Sequence, residues 1–258
     1  MLYFARSCHL SLKHNYQPTI LQMERTEIVS EALTEQLILA VIRADADMVD
    51  SLLAQGADAN GLGRASTTAL MMAAAEGYLN IVNTLLAHGA DANIKNDANY
   101  TALMYAAESN YHDITNLLID QSTDVDGKNN YGDTVLMSVA RLGQTDLVQR
   151  LIDRGADVNA TNNIGDTALY LAADNGHTDT LQTLIENGAR VNTANLAGWT
   201  PLMVAAARGD SATVAILLEH GADVNARNYW DSTALKEARK AIYPTATVEL
   251  LIRAGATE

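Results

Sequence analysis

The chain has 258 residues, enough for one or two domains with a substantial core. It carries 17 basic and 31 acidic residues, a net charge of −14. This balance argues against nucleic-acid binding, because phosphate backbones are bound by clustered Lys and Arg. Hydrophobic residues make up 48% of the chain, which excludes general disorder, and the single cysteine, Cys8, excludes an intrachain disulfide or a cysteine-rich zinc site. We expect a folded protein of a reducing compartment and predict a cytoplasmic location.

The first 23 residues differ in composition from the rest of the chain. They contain no acidic residue, whereas residues 24–258 carry 15 basic and 31 acidic residues, a net charge of −16. Three interpretations are open: an acid-poor transit peptide, a disordered tail, or translation that starts at Met23. We favour a tail over residues 1–33 that contributes little to the fold. No apolar run approaches the ~18 residues that a membrane span needs.

Two short motifs then recur every 33 residues. The first is Thr-Ala-Leu or a close variant, which begins at Thr68, Thr101, Thr134, Thr167, Thr200 and Thr233. The second is Gly-Ala-Asp-Xaa-Asn or a close variant, which begins at Gly56, Gly89, Gly155, Gly188 and Gly221, with a degraded copy at Ser122. A constant period of this length indicates a repeat protein. Because one unit cannot bury its apolar face alone, we expect the units to stack as a solenoid.

Each unit is predicted to contain two helices and a turn. Threonine is a good helix N-cap, so the Thr of the first motif begins the first helix. A glycine nine residues later, such as Gly77, supplies the left-handed residue that ends it. The second helix has apolar residues at helical spacing and ends at the Gly of the second motif. The stretch that follows is rich in Asn, Asp and Gly and predicts a β-turn or hairpin.

The third unit departs from this pattern at both helix ends. Asn110 stands where Gly ends the first helix, which is acceptable because Asn tolerates the left-handed conformation. Ser122 stands where Gly ends the second helix, which is less acceptable and costs about 1 kcal/mol. We therefore expect the array to be weakest here and Ser122→Gly to stabilise it.

These motifs resemble those of ankyrin-repeat proteins, including a Gly-His midpoint at Gly176-His177 and a Gly-Ala-Asp-Val-Asn close. The match covers roughly residues 34–258. It implies an all-α solenoid of helix–turn–helix units with β-turn or hairpin fingers. We predict seven units, at about 34–66, 67–99, 100–132, 133–165, 166–198, 199–231 and 232–258. The first and last are more polar, as capping units need to be.

The sequence departs from the family at the histidine of the opening motif. Methionine takes this position in four units, at Met71, Met104, Met137 and Met203. The hydrogen bonds that the family's histidine makes therefore do not carry over, and we expect flexible methionine packing in their place.

No residue pattern points to catalysis. The six histidines lack metal-ligand spacing, and no Ser-His-Asp arrangement has a suitable sequence context. Gly61-Leu62-Gly63-Arg64 lacks the Lys and the Ser or Thr of a phosphate-binding loop. The recurring aspartates of the second motif indicate turns. We predict that the protein is not an enzyme and uses no cofactor and no metal ion.

By resemblance, the partner of an ankyrin-repeat protein binds a concave face built from the finger tips and the ends of the first helices. In this chain, the residues predicted to bind the partner are Tyr100, Tyr131, Ile164, Leu196, Trp199, Tyr229 and Trp230 on the tips, with Arg141, Leu142 and Arg208 on the helices. Tip aromatics either anchor a partner or brace neighbouring fingers. We favour anchors for Trp199 and Trp230, and for Tyr100 and Tyr131 both roles remain open. Tyr105 and Leu171 are assigned to the core.

We therefore predict a monomeric, non-catalytic scaffold that binds another protein across this face, without nucleic acid or membrane. The acidic repeats suggest a basic surface on the partner, although the same charge would also serve solubility alone. The alternative is an accessory or inhibitory subunit that regulates a specific enzyme.

Overall fold

The computed structural model describes residues 32–122, 124–242 and 244–257. Over these residues the chain forms fourteen α-helices in seven consecutive pairs, with one isolated β-bridge between Leu62 and Thr68 and no strand. The helices are α1 (32–42), α2 (Ala46–Ala54), α3 (Ala69–Glu76), α4 (Leu79–Ala87), α5 (Ala102–Glu108), α6 (His112–Gln121), α7 (Val135–Arg141), α8 (Thr145–Asp153), α9 (Ala168–Asn175), α10 (Thr178–Glu186), α11 (Pro201–Arg208), α12 (Ser211–Glu219), α13 (Ala234–Ala238) and α14 (Thr245–Arg253). The predicted tail lies outside the described residues except for residues 32 and 33, which belong to α1.

The helices pack in two parallel rows. The first-helix row contains α3, α5, α7, α9, α11 and α13, and each of these helices contacts the next one in the row. The second-helix row contains α2, α4, α6, α8, α10, α12 and α14, which contact one another in the same order. Each unit therefore packs on its neighbours, and the prediction of an all-α solenoid is confirmed.

The threonines of the first motif cap the first helices as predicted. In all six units the Thr hydroxyl accepts a hydrogen bond from the backbone N–H three residues later, at 3.1–3.4 Å. The four glycines that follow the first helices have φ between +72° and +80°, and Asn110 has φ of +63°. These left-handed residues end the helices, so the second helix can turn back against the first.

Ser122 does not adopt the left-handed conformation of the glycine that it replaces. Its φ is −85° and its ψ is 136°, an extended conformation that serine adopts without strain. Helix α6 ends directly before Ser122, whose N–H and hydroxyl both donate to the carbonyl of Leu118, at 3.0 and 2.8 Å. The carbonyl of Ser122 accepts a hydrogen bond from Arg154 of the next unit at 3.0 Å. Serine is therefore accommodated here without strain, and the premise on which a gain from glycine was expected does not hold.

The core is built from small and aliphatic side chains between the two rows. Met71, Met104, Met137 and Met203 are each 1–3% exposed, as the predicted packing requires. Leu171 is buried and Tyr105 is partly buried against the core, so both core assignments are confirmed. With the core filled by such residues, large apolar side chains on the fingers are available for another role.

Candidate partner-binding face

Each finger is closed by the side chain of its first residue, which is always asparagine. The fingers are the five-residue turns 96–100, 129–133, 162–166, 195–199 and 228–232. In each finger the asparagine Oδ1 accepts hydrogen bonds from the backbone N–H groups of the third and fifth residues, at 2.9–3.1 Å. The role of these asparagines was not predicted, although their 33-residue spacing is visible in the sequence.

Neighbouring fingers are joined to each other by backbone hydrogen bonds. The N–H of the second residue of a finger donates to the carbonyl of the third residue of the preceding finger, at 2.9–3.2 Å over four successive junctions. The fourth residue of every finger is left-handed, with φ between +57° and +83°. The fingers therefore form one ladder with fixed spacing, and the ladder determines which tip side chains face solvent.

The predicted tip residues divide into two groups according to their position in the finger. The second and third positions place their side chains in solvent, with exposed fractions of 69% for Tyr131, 60% for Ile164, 65% for Leu196, 79% for Tyr229 and 69% for Trp230. The fifth position turns its side chain back towards the core, and both Tyr100 and Trp199 are partly buried against it. The sequence did not separate these two groups.

Tyr100 is held by Tyr105 and Glu108. Its ring lies 5.0 Å from the ring of Tyr105, and its hydroxyl donates a hydrogen bond to Oε1 of Glu108 at 3.1 Å. Burial and the charge of Glu108 raise the pKa of Tyr100 to about 12, and burial also raises the pKa of Glu108. These contacts favour the bracing role for Tyr100.

The predicted residues on the helices make contacts within the protein. Arg141 lies 3.3 Å from the carboxylate of Asp133. Arg208 donates to the carbonyl of Asp174 at 2.7 Å, near the end of α9, where a cation also interacts favourably with the helix dipole. Leu142 is 38% exposed beside them. Arg141 thus pairs within its own unit, Arg208 links two neighbouring units, and Leu142 adds an exposed apolar side chain to the face.

Acidic groups line the middle of the face at the fifth finger position. Asp133 and Asp166 accept hydrogen bonds from the Nδ2 atoms of Asn162 and Asn195, the first residues of the following fingers, at 2.8 and 2.9 Å. Burial raises the pKa of Asp166. Burial also raises the pKa of Tyr170, together with the charges of Asp166 and of Asp174. These carboxylates link consecutive fingers through their side chains.

The described residues show no group of three or more His, Cys, Asp or Glu arranged to hold a metal ion. Across the same residues, no helix combines the length and the apolar character that crossing a bilayer requires.

Comparisons with known proteins agree with the architecture. A family model described as ankyrin repeats in three copies matches residues 37–129 and 121–195, and a single ankyrin-repeat model matches residues 197–229. Together these matches span well over half of the chain. The crystal structure of the human ASB11 ankyrin repeat domain is similar, with a TM-score of 0.72 and 21% sequence identity. That match covers 86% of this chain and 98% of the human domain, and at this identity it shows the fold alone. No curated protein sequence matches the chain.

Proposed function

The chain belongs to the ankyrin-repeat family, and we propose that it is a non-catalytic scaffold that binds a partner protein through its finger tips and the adjoining ends of the first helices. Ankyrin repeats generally mediate protein–protein interactions, which supports binding as the function of this chain. A cytoplasmic location and a monomeric state belong to the same proposal.

The observation that carries the proposal is the row of exposed apolar tips. Tyr131, Ile164, Leu196, Tyr229 and Trp230 lie on four consecutive fingers, and each is at least 60% exposed. Side chains this exposed contribute little to the core, and contiguous exposed apolar surface usually marks an interaction site. Because the ladder already orders the backbone beneath them, binding costs less conformational entropy than it would on a flexible loop.

Tyr229 and Trp230 are the proposed central anchors. They are adjacent on the last finger, and aromatic residues dominate the binding energy of protein interfaces. Trp199, which we also proposed as an anchor, is partly buried against the core. It therefore presents less of its side chain to a partner than the exposed Trp230 does, and we give it a supporting role.

The charge of the face supports a partner with a basic surface opposite the middle units. Glu76 and Asp174 are exposed at the ends of α3 and α9, and Glu108, which accepts the hydrogen bond from Tyr100, ends α5 between them. The two arginines in equivalent positions are occupied by contacts within the protein. Complementary charge would raise the association rate and favour one binding orientation.

Capture of partners from an extract of the source cells tests the proposal. We expect the wild-type protein to retain a defined partner and the Tyr229→Ala/Trp230→Ala double variant to lose it. Ile252→Ala is the matched control, because Ile252 is a similarly exposed apolar residue (52%) on α14, outside the fingers. Both variants should keep the helical circular dichroism of the wild type.

Equal capture by the double variant and the wild type would contradict the proposed site. The composition of the captured material separates the two forms of the hypothesis. A single stoichiometric enzyme would favour a regulatory subunit, whereas other proteins would favour a general scaffold.

A further inference from the structure

Among the finger asparagines in the described residues, only Asn228 has a buried side-chain amide without a hydrogen-bond partner; Nδ2 of Asn96, for example, donates to the hydroxyl of Tyr105 at 2.9 Å. Nδ2 of Asn162 and of Asn195 donates to an aspartate at the fifth position of the preceding finger, at 2.8 and 2.9 Å. For Asn228, the fifth residue of the preceding finger is Trp199, whose side chain has no hydrogen-bond acceptor. Asn228 is only 5% exposed, and its Nδ2 has no partner among the described residues. A buried donor without an acceptor is unfavourable.

Asn228 lines a pocket, and its Nδ2 is buried behind the pocket surface. This pocket has a volume of about 540 Å³ and lies between the last two fingers and α13. Its walls include Asn228, the rings of Trp199 and Trp230, and the cations Lys236, Arg239 and Lys240. The chain contains only two tryptophans, and both line this pocket.

The charge of the pocket is opposite in sign to that of the whole protein. Three cations and two acids, Asp231 and Glu237, line it, a local balance of +1 in a chain of net charge −14. Both acids already have partners: Arg227 lies 2.5 Å from the carboxylate of Asp231, and Lys240 donates to Glu237 at 2.8 Å. Glu237 also accepts a hydrogen bond from Ser232. Lys236 also donates to the backbone carbonyl of Asp231 at 2.9 Å and lies 3.7 Å from its carboxylate, so both lysines are shared with the local acids. An anion entering the pocket would therefore meet a local excess of one positive charge.

We propose that this pocket binds a carboxylate of an acidic peptide segment of the partner protein. The carboxylate takes the place that Asp133 and Asp166 hold in the preceding units and accepts the hydrogen bond from Asn228. Lys240 and Lys236 supply the opposite charge, and the indole rings pack against the apolar part of the segment. The inference rests on the proposed function and names the part of the partner that the last finger recognises.

Tryptophan fluorescence gives a direct readout, because both tryptophans line the pocket. We expect a hexaglutamate peptide, blocked at both ends, to change the emission of the full chain in a saturable way, and a blocked hexaglutamine peptide to leave it unchanged. Free glutamate should bind more weakly than the peptide. Equal responses to the two peptides would overturn carboxylate recognition, and equal affinity for free glutamate would overturn the peptide assignment.

Asn228→Asp separates the binding role of the amide from its role in closing the finger. The aspartate retains an oxygen that accepts the N–H groups of Trp230 and Ser232 and places a second carboxylate oxygen where the unsatisfied donor was. We expect hexaglutamate affinity to fall at least about tenfold, since a hydrogen bond to a charged group is lost and a repulsion is added. Circular dichroism checks that the variant keeps its helices, because a buried carboxylate costs stability. A variant that binds as tightly as the wild type would overturn the proposal.

Lys240→Gln keeps the test decisive even if Asn228→Asp does not fold. The Lys240 side chain is 66% exposed, so its removal should not disturb the core. We expect hexaglutamate to bind about threefold more weakly. Lys128→Gln is the control, since Lys128 is an exposed lysine of another unit, where its amine donates a hydrogen bond to the carbonyl of Thr161. Equal losses of hexaglutamate affinity in the two variants would show an effect of general electrostatics and would contradict binding in the pocket.

Partner capture separates this inference from the proposed function. If capture depends on Tyr229 and Trp230 but survives both pocket variants, the scaffold function stands and the pocket proposal is refuted.

Discussion

Replacing Ser122 with glycine should destabilise the protein, although a glycine occupies this position in the neighbouring units. The substitution removes the 2.8 Å hydrogen bond from the Ser122 hydroxyl to the carbonyl of Leu118. It also gives the unfolded chain more freedom at a residue whose folded φ of −85° needs no glycine. The lost bond is worth about 1 kcal/mol and the added freedom about 0.5–1 kcal/mol, so the free energy of unfolding should fall by about 1.5–2 kcal/mol.

Urea denaturation followed by circular dichroism measures this effect, with the midpoint and the slope fitted together. Ser122→Ala should account for about half of the loss, because it removes the hydroxyl and adds little backbone freedom. Gly155→Ser is the reciprocal control: Gly155 has φ of +91° with open space around it, so serine should cost about 1 kcal/mol through backbone strain alone. A Ser122→Gly variant as stable as the wild type, or more stable, would refute the reasoning.

Two further predictions concern the aromatic residues of the fingers. Tyr100 has a pKa raised from 10.0 to about 12, so its neutral form stabilises the folded state, and this contribution is lost as pH rises from 10 to 12. Unfolding measured across this range should show a smaller pH dependence for Tyr100→Phe, and an unchanged dependence would contradict the assignment. Trp199→Ala should lower the free energy of unfolding by about 2 kcal/mol because it removes core contacts, whereas Trp230→Ala should change it by less than about 0.5 kcal/mol. Equal losses in urea denaturation would contradict the division between buried and exposed tips.

The helix boundaries could be predicted from sequence because each depends on a local signal. Thr167 caps α9 and Gly176 ends it, and both choices follow from the conformations that the two residue types favour. Ser122 could not be assigned in this way. Its extended backbone lets the carbonyl of Ser122 accept a hydrogen bond from Arg154 of the next unit. The local sequence pattern does not contain this contact, because it joins two units.

The binding face shows the same limit. Sequence spacing placed Trp199 and Trp230 on neighbouring fingers, but it treated them as equivalent. Their exposure differs because the hydrogen bonds to the first asparagine of each finger turn the fifth finger residue inward and the third outward. The unsatisfied amide of Asn228 could not be predicted either, because it depends on Trp199, which the preceding finger supplies in place of an aspartate.

Hydrogen exchange of the chain, alone and with its captured partner, tests the central claim most directly. Binding through the finger tips predicts slower exchange in the four fingers 129–133, 162–166, 195–199 and 228–232, with little change in the second-helix row. Protection confined to α8, α10 and α12, with unchanged fingers, would contradict it.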